Sequence, residues 1–203
     1  LNLGSVYGLA QYHITDVLVC FKKSRPQSTL NVMQSSTQDL TEMLRQRKCE
    51  LAFIRDIEDE ADEFIKIPYN SDTVVAVLPV THPLAGKKTI PLLMLAKENF
   101  LLEVPHTMPY MLSIKACELS GFEPNVTLTD VDREYLIDLV SSGMGISLML
   151  KQILLHFSNP KITTVNITPN VTTSIGLCHL KDLKLSAAAK HFVQCAESVK
   201  NSN

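Results

Sequence analysis

The sequence predicts an α/β fold of two lobes joined by two crossing strand segments, and three observations carry that prediction. Strand-like and helix-like signals alternate over residues 1–54 and alternate again from residue 100. An unusually long apolar strand, residues 73–80, links the two blocks. Residues 131–149 (VDREYLIDLVSSGMGISLM) read as helix, glycine punctuation and buried strand. The chain has only 7 glycines, so Gly143 and Gly145 on either side of Met144 mark a backbone requirement. Glycine supplies a left-handed helix C-cap and lets the next strand run close to its neighbours. Such an α-to-β junction flanks the ligand crevice in α/β domains.

The elements follow in order. Residues 1–7 read as a strand ending at Gly8, and 9–21 as an amphipathic helix stopped by the basic turn at 22–26. Residues 29–35 are a second strand. Ser36, Thr37, Gln38 and Asp39 then cap a helix that turns Leu40, Met43 and Leu44 inward. Residues 51–54 are a short apolar strand. Three strands joined by helices imply parallel pairing with right-handed crossovers. Residues 56–63 hold six acids in eight positions and read as a solvated loop, because a calcium loop needs a central glycine and regular ligand spacing. Residues 64–80 give two strand-like runs. After the turn at 82–86 come a short helix (92–96), a strand (100–103), a loop (104–109), a helix (110–120) and a strand (126–129). Beyond the glycine junction, 161–167 and 173–179 read as strands and 186–199 as a closing helix.

Composition excludes several functions. With 203 residues and 45% apolar content the chain can bury one large core or two small ones. A net charge of −2 lacks the basic surface that nucleic acid needs. No apolar run reaches the ~18 residues of a membrane span, and no basic-then-apolar signal segment opens the chain. It begins on Leu1, directly in a strand, and reads as a piece of a longer protein. Its 5 cysteines are odd in number and scattered, so a reducing cytoplasm fits better than a disulfide frame or a zinc site. The 6 histidines lack metal-ligand spacing, no catalytic Ser/His/Asp arrangement is legible, and there is no phosphate loop. No enzyme activity, metal or cofactor is expected.

Five segments in register resemble the effector-binding (regulatory) domain of LysR-type transcriptional regulators. They are LNLGSV at 1–6, ELAFI at 50–54, HPLA at 82–85, SGFEP at 120–124 and LVSSGMGIS at 139–147. Each is weak alone, but together they span essentially the whole chain. The resemblance implies two Rossmann-like lobes of the type 2 periplasmic-binding-protein fold with a ligand cleft between them. Lobe I would be residues 1–76 and 169–203, and lobe II residues 77–168. It implies a small-molecule sensing domain, a homodimer through the first helix and second strand, and DNA contact only through an N-terminal winged helix-turn-helix not in this chain. Val17, Val19, Phe21, Leu30 and Val32 supply more apolar surface than one core face needs, which suits pairing, although burial in a doubly covered sheet accounts for much of it too. The alternative on the same scaffold is a transporter's solute-binding protein, which five unpaired cysteines fit poorly. Two departures stand out. Met149 and Leu150 occupy positions where many members carry proline, and Tyr7 and Gly8 stand where hydroxyl residues are common.

In such a cleft a metabolite is held by helix N-terminal N–H groups and nearby hydroxyls. Four strand-end loops qualify: Val6, Tyr7 and Gly8; Ser36, Thr37 and Gln38; His106, Thr107 and Met108; and Asp130. The plain roles compete. Ser36 and Thr37 serve as N-caps, His106 as an exposed loop residue, and Asp130 as the cap of the helix that follows. Arg55, closing the third strand, and Arg133, opening a helix, are candidates to pair with an anion bidentately, against a plain surface role for each, which is the favoured expectation. The expected effector is a small organic acid or an amino-acid-like metabolite.

Overall fold

A computed structural model describes residues 1–8, 10–56, 62–155 and 157–202. In chain order the elements are β1 (Asn2–Ser5), α1 (Ile14–Ser24), β2 (Asn31–Gln34), α2 (Thr37–Arg45), β3 (Leu51–Arg55), β4 (Phe64–Pro79), β5 (Thr89–Pro91), β6 (Asn99–Leu101), α3 (Met108–Leu119), β7 (Asn125–Leu128), α4 (Arg133–Ser141), β8 (Ser147–Leu150), α5 (Lys151–Leu154), β9 (Ile162–Thr168), β10 (Thr172–Leu180) and α6 (Ala187–Ser202). Contacts divide the chain into unit 1, Leu1–Ser71 with Thr173–Asn203, and unit 2, Asp72–Thr172. The chain leaves unit 1 inside β4 and re-enters it at the start of β10.

In unit 1, β2, β1 and β3 run parallel, with Leu3 opposite both Val32 and Leu51. β10 lies antiparallel to β3 and next to β4. All five residues of β3 are buried, as expected of a strand covered on both faces. Phe53 sits between Tyr69 and Phe192, with ring centroids 4.9 and 6.1 Å away. Each such fully buried side chain contributes roughly 1.5–3 kcal/mol.

The first helix differs from its expected span of 9–21. A 3-10 turn at Ala10–Tyr12 ends at His13, whose φ of 56° breaks the helix, and α1 then runs on to Ser24. The lysines that read as a stop instead favour the helix C-terminus. Lys22 Nζ donates to the carbonyls of Pro26 and Ser28, and Ser24 Oγ to that of Cys20. Ile14, Val17 and Phe21 form the buried stripe of α1. Val17 and Phe21 are therefore core residues, and only Val19 and Val32 of the expected pairing set are exposed.

Unit 2 is built on the order β7–β6–β8–β4–β9–β5. β6 and β7 pair in parallel, Phe100 bridges to Ile146, and β4 lies antiparallel to both β8 and β9. β5 runs parallel to β9. Period-two alternation sorts β4 between two cores. Val74, Ala76 and Leu78 join Leu112 and Ala116 of α3, while Val75 and Val77 join Leu136 and Val140 of α4. The two runs expected over 64–80 are one 16-residue strand. The polar interruption at Asn70–Ser71–Asp72 stays extended because Asp72 Oδ1 accepts from the N–H groups of Thr73 and Gln152. β5 and α5 had no expectation. Ser147 Oγ is buried without a hydrogen-bond partner among the described residues.

The glycine junction is a close approach. Gly143 has φ +79°, and its N–H donates to Val140 O at the end of α4. At Gly145 the β8 segment meets β6, where Leu101 N–H donates to Ile146 O and Ile146 N–H to Asn99 O.

Candidate functional site

The strand ends of unit 1 converge on one buried guanidinium. Arg55 closes β3 and is 6% exposed. Its Nη2 donates to the Tyr12 hydroxyl at 2.7 Å and its Nη1 to Thr173 Oγ1 at 3.3 Å. The Tyr12 ring lies under it, 5.0 Å from Cζ. The Arg55 carbonyl accepts from Thr37 Oγ1. This single residue thus ties the turn after β1 and the starts of α2 and β10 to the end of β3. Among the described residues it makes no ion pair. Thr173 instead relays its charge, accepting from Arg55 and donating to Asp56 Oδ2. The second Asp56 oxygen accepts from Ser174 N and Oγ. Burying a charge without a direct counter-charge is costly. Hydroxyl acceptors, the aromatic face and the relayed carboxylate offset that cost.

The sequence-predicted residues take distinct places around this network. Val6 is buried and donates its N–H to Phe53 O, while Tyr7 is 68% exposed. Gly8 has φ +86°, and a β-carbon there would stand 3.0 Å from Gln11 Oε1, itself buried without a partner among the described residues. Ser36 is the N-cap of α2: its Oγ accepts from Asp39 N–H and donates to Asp39 Oδ2. Ser35 Oγ donates to the same oxygen at 2.6 Å. The Ser35 hydroxyl first, then the Ser36 hydroxyl, hold the Asp39 carboxyl below its usual range. The hydroxyls of Ser36 and Thr37 are therefore engaged inside the protein. What α2 offers outward is the N–H groups of Thr37 and Gln38, at positions without an intrahelical acceptor, and the exposed Gln38 side chain. Of the acidic run, residues 57–61 lie outside the described residues.

Unit 2 brings its loops together through a salt bridge. Glu103, just past β6, is 9% exposed and receives Arg133 bidentately, Nε to Oε1 at 3.3 Å and Nη2 to Oε2 at 2.8 Å. A bidentate pair of this kind fixes orientation as well as charge. It holds the first residue of α4 against the end of β6. Thr107 is the N-cap of α3, yet its hydroxyl donates to Val104 O and leaves the first-turn N–H groups without a side-chain cap. Pro109 fits in that first turn because it has no N–H to satisfy. Met108 is partly buried against the core, and His106 is exposed.

Asp130 does not cap α4. Its φ is 64°, whereas a cap needs extended backbone, and Asp132 (φ −67°, ψ 160°) takes that role by accepting from Tyr135 N–H. Left-handed backbone recurs at Asp56, His106 and Asp130, each in the loop after β3, β6 or β7. Strained residues of this kind gather at ligand-holding loops.

The sequence reading missed Tyr12, Thr173 and Glu103. Tyr12 and Thr173 carry no motif and become site residues only through long-range pairing with Arg55. Arg55 and Arg133 were visible as isolated cations. No cluster of three or more metal-ligating side chains occurs among the described residues, and no helix among them is long and apolar enough to cross a membrane.

Comparison with known proteins gives one family. The family model described as "LysR substrate binding domain" matches residues 1–200. The transcriptional dual regulator GltC of Bacillus subtilis (strain 168) is 26% identical over 197 residues, covering 96% of this chain and 65% of its own length. The chain thus spans somewhat under two thirds of that relative. Among solved structures, the regulatory domain of Synechocystis PCC6803 CcmR in complex with 2-PG superposes with a TM-score of 0.84 at 19% identity, covering 98% of this chain and 96% of that one. The effector-binding domain of QuiR in complex with shikimate has a TM-score of 0.77 at 22% identity, with 100% and 97% covered. At these identities the structures attest the fold.

Proposed function

The chain belongs to the LysR substrate-binding domain family, and from that premise we propose that it senses a small-molecule effector on behalf of a transcriptional regulator. The regulator's DNA contact would be made by a segment outside this chain. The matched relatives are regulators rather than transport proteins, which favours this reading over a solute-binding one. In CcmR and QuiR the corresponding domains hold 2-PG and shikimate. By analogy the effector here is a small organic acid or an amino-acid-like metabolite.

The observation that carries the reading is the Arg55 network: a buried cation at the C-terminal edge of parallel strands, where α/β sheets bind ligands. We assign effector contacts in unit 1 to Val6, Tyr7, Gly8, Ser36, Thr37 and Gln38, chiefly through backbone N–H groups. In unit 2 we assign them to His106, Thr107, Met108 and Asp130. Pairing of two copies is assigned to α1 and β2, where Val19 and Val32 are exposed. A cytoplasmic setting suits the five free thiols.

A thermal-shift screen of small organic acids and amino acids, followed by calorimetry on hits, tests the assignment. The expected result is at least one ligand whose affinity falls about tenfold or more in Gln38→Ala or Thr107→Val. Ligands that bind equally well to both variants would remove these loops from the site.

A further inference from the structure

The side chain of Asp56, the residue after β3, is seated like a bound anion at the start of β10. Its Oδ2 accepts from the Thr173 hydroxyl. Its Oδ1 accepts from Ser174 N–H at 2.7 Å and from Ser174 Oγ at 3.1 Å. One backbone N–H and two hydroxyls converging on a carboxylate are what a binding site offers a free organic acid. Beyond its Cα, an aspartate side chain is acetate less one hydrogen.

Two cations stand behind those hydroxyls. Arg55 Nη1 donates to Thr173 Oγ1 at 3.3 Å, and Lys66 Nζ donates to Ser174 Oγ at 3.1 Å. One carboxylate thus faces two positive charges, each a single hydroxyl away. The place stays attractive to an anion when the Asp56 side chain leaves it. Thr173 is buried, which strengthens these interactions, while Asp56, Lys66 and Ser174 are half-buried and keep a side open to solvent. The backbone of Asp56 adds a second sign. It sits at φ 38°, and its N–H donates to Ser174 O. A left-handed non-glycine residue persists only where its surroundings hold it, and here the bonds to the carboxylate do much of the holding.

We propose that Asp56 is a tethered occupant of an anion site on β10, and that a ligand carboxylate competes with it for Thr173 and Ser174. This rests on the effector-sensing reading of unit 1 and adds a regulation to it. Tethering places the Asp56 carboxylate at an effective concentration of roughly millimolar or more, so a bare small acid does not displace it. A ligand with further contacts does, and the selectivity against abundant small acids follows. Displacement also releases the hold on the φ 38° backbone, so ligand entry at β10 is felt at the end of β3.

Acetate titrations read by thermal melting test the proposal, with chloride at equal ionic strength as the reference. Asp56→Gly removes the carboxylate and the left-handed strain together. Its melting temperature should rise by roughly 2–5 °C once acetate reaches about ten times its dissociation constant, while the parent protein stays level. Asp56→Ala opens the same place and should respond alike, or recover a cooperative melt in acetate. Adding Thr173→Val to Asp56→Gly should remove roughly half of the rise or more. Acetate requires no knowledge of the effector, so the two ideas fail separately. Effector hits without an acetate response in either opened variant would overturn the tethered carboxylate and leave sensing intact. An acetate response without any effector hit supports the anion site and counts against the sensing reading. An equal rise in the parent protein, or with chloride, puts the anion elsewhere and sinks the proposal.

Discussion

A β-carbon on Gly145 would lie 2.5 Å from the carbonyl oxygen of Asn99, so β6 and β8 can pair only if that carbon is missing. Gly145→Ala should force the strands apart and weaken the Leu101–Ile146 and Ile146–Asn99 hydrogen bonds, 2.8 and 2.9 Å long. A loss of about 2–4 kcal/mol in urea unfolding is expected. Gly143→Ala meets open space and suffers only its left-handed backbone, about 1 kcal/mol.

Tyr12→Phe keeps the ring beneath Arg55 and removes only the hydroxyl that accepts from Nη2. A buried guanidinium donor then lacks its partner, and chemical denaturation should register a loss of about 1–3 kcal/mol.

Asp132 and Asp130 stand two residues apart and should respond oppositely. Asp132→Ala removes a true N-cap and should cost about 1 kcal/mol. Asp130→Gly relieves a φ of 64° and should stabilise by up to ~1 kcal/mol. Paired melting curves decide it.

The Ser147 hydroxyl, buried on β8, has no partner among the described residues. Ser147→Ala exchanges an unsatisfied polar group for a methyl, so stability should hold or rise by about 1 kcal/mol. A destabilisation of that size in the same assay would contradict this account.

Asp39 gives a pH dependence with a definite sign. Hydroxyl donation from Ser35 and Ser36 lowers its folded-state pKa below the unfolded one. Its contribution is complete above the ordinary carboxylate range and is lost as pH falls through the depressed value. Asp39→Asn should therefore lower stability at neutral pH, converge on the parent protein below the depressed value, and so flatten part of the acid limb of a stability-versus-pH curve.

Local chemistry made much of this legible in advance. Alternating strand and helix signals, the Ser36 cap and the two-glycine junction all act within a few residues, and their periods survive folding. What escaped the sequence depends on pairing across long separations. Thr173 meets Arg55 118 residues away, and Glu103 meets Arg133 across 30. The misplaced cap at Asp130 has a local cause. Two aspartates compete within three residues, and only backbone geometry, invisible in composition, selects Asp132. The break at His13 escaped for the same reason.

The placement of β10 sets an order in time. It fills the gap between β3 and β4, yet it is synthesised after the whole of unit 2. Unit 2 is written without interruption and has all its strands by then. Unit 1 meanwhile waits for about a hundred residues, roughly 5–20 s at ordinary synthesis rates, with its inner strand edge open and α1 lacking α6. An open, apolar edge is what a nascent chain must keep from neighbouring chains.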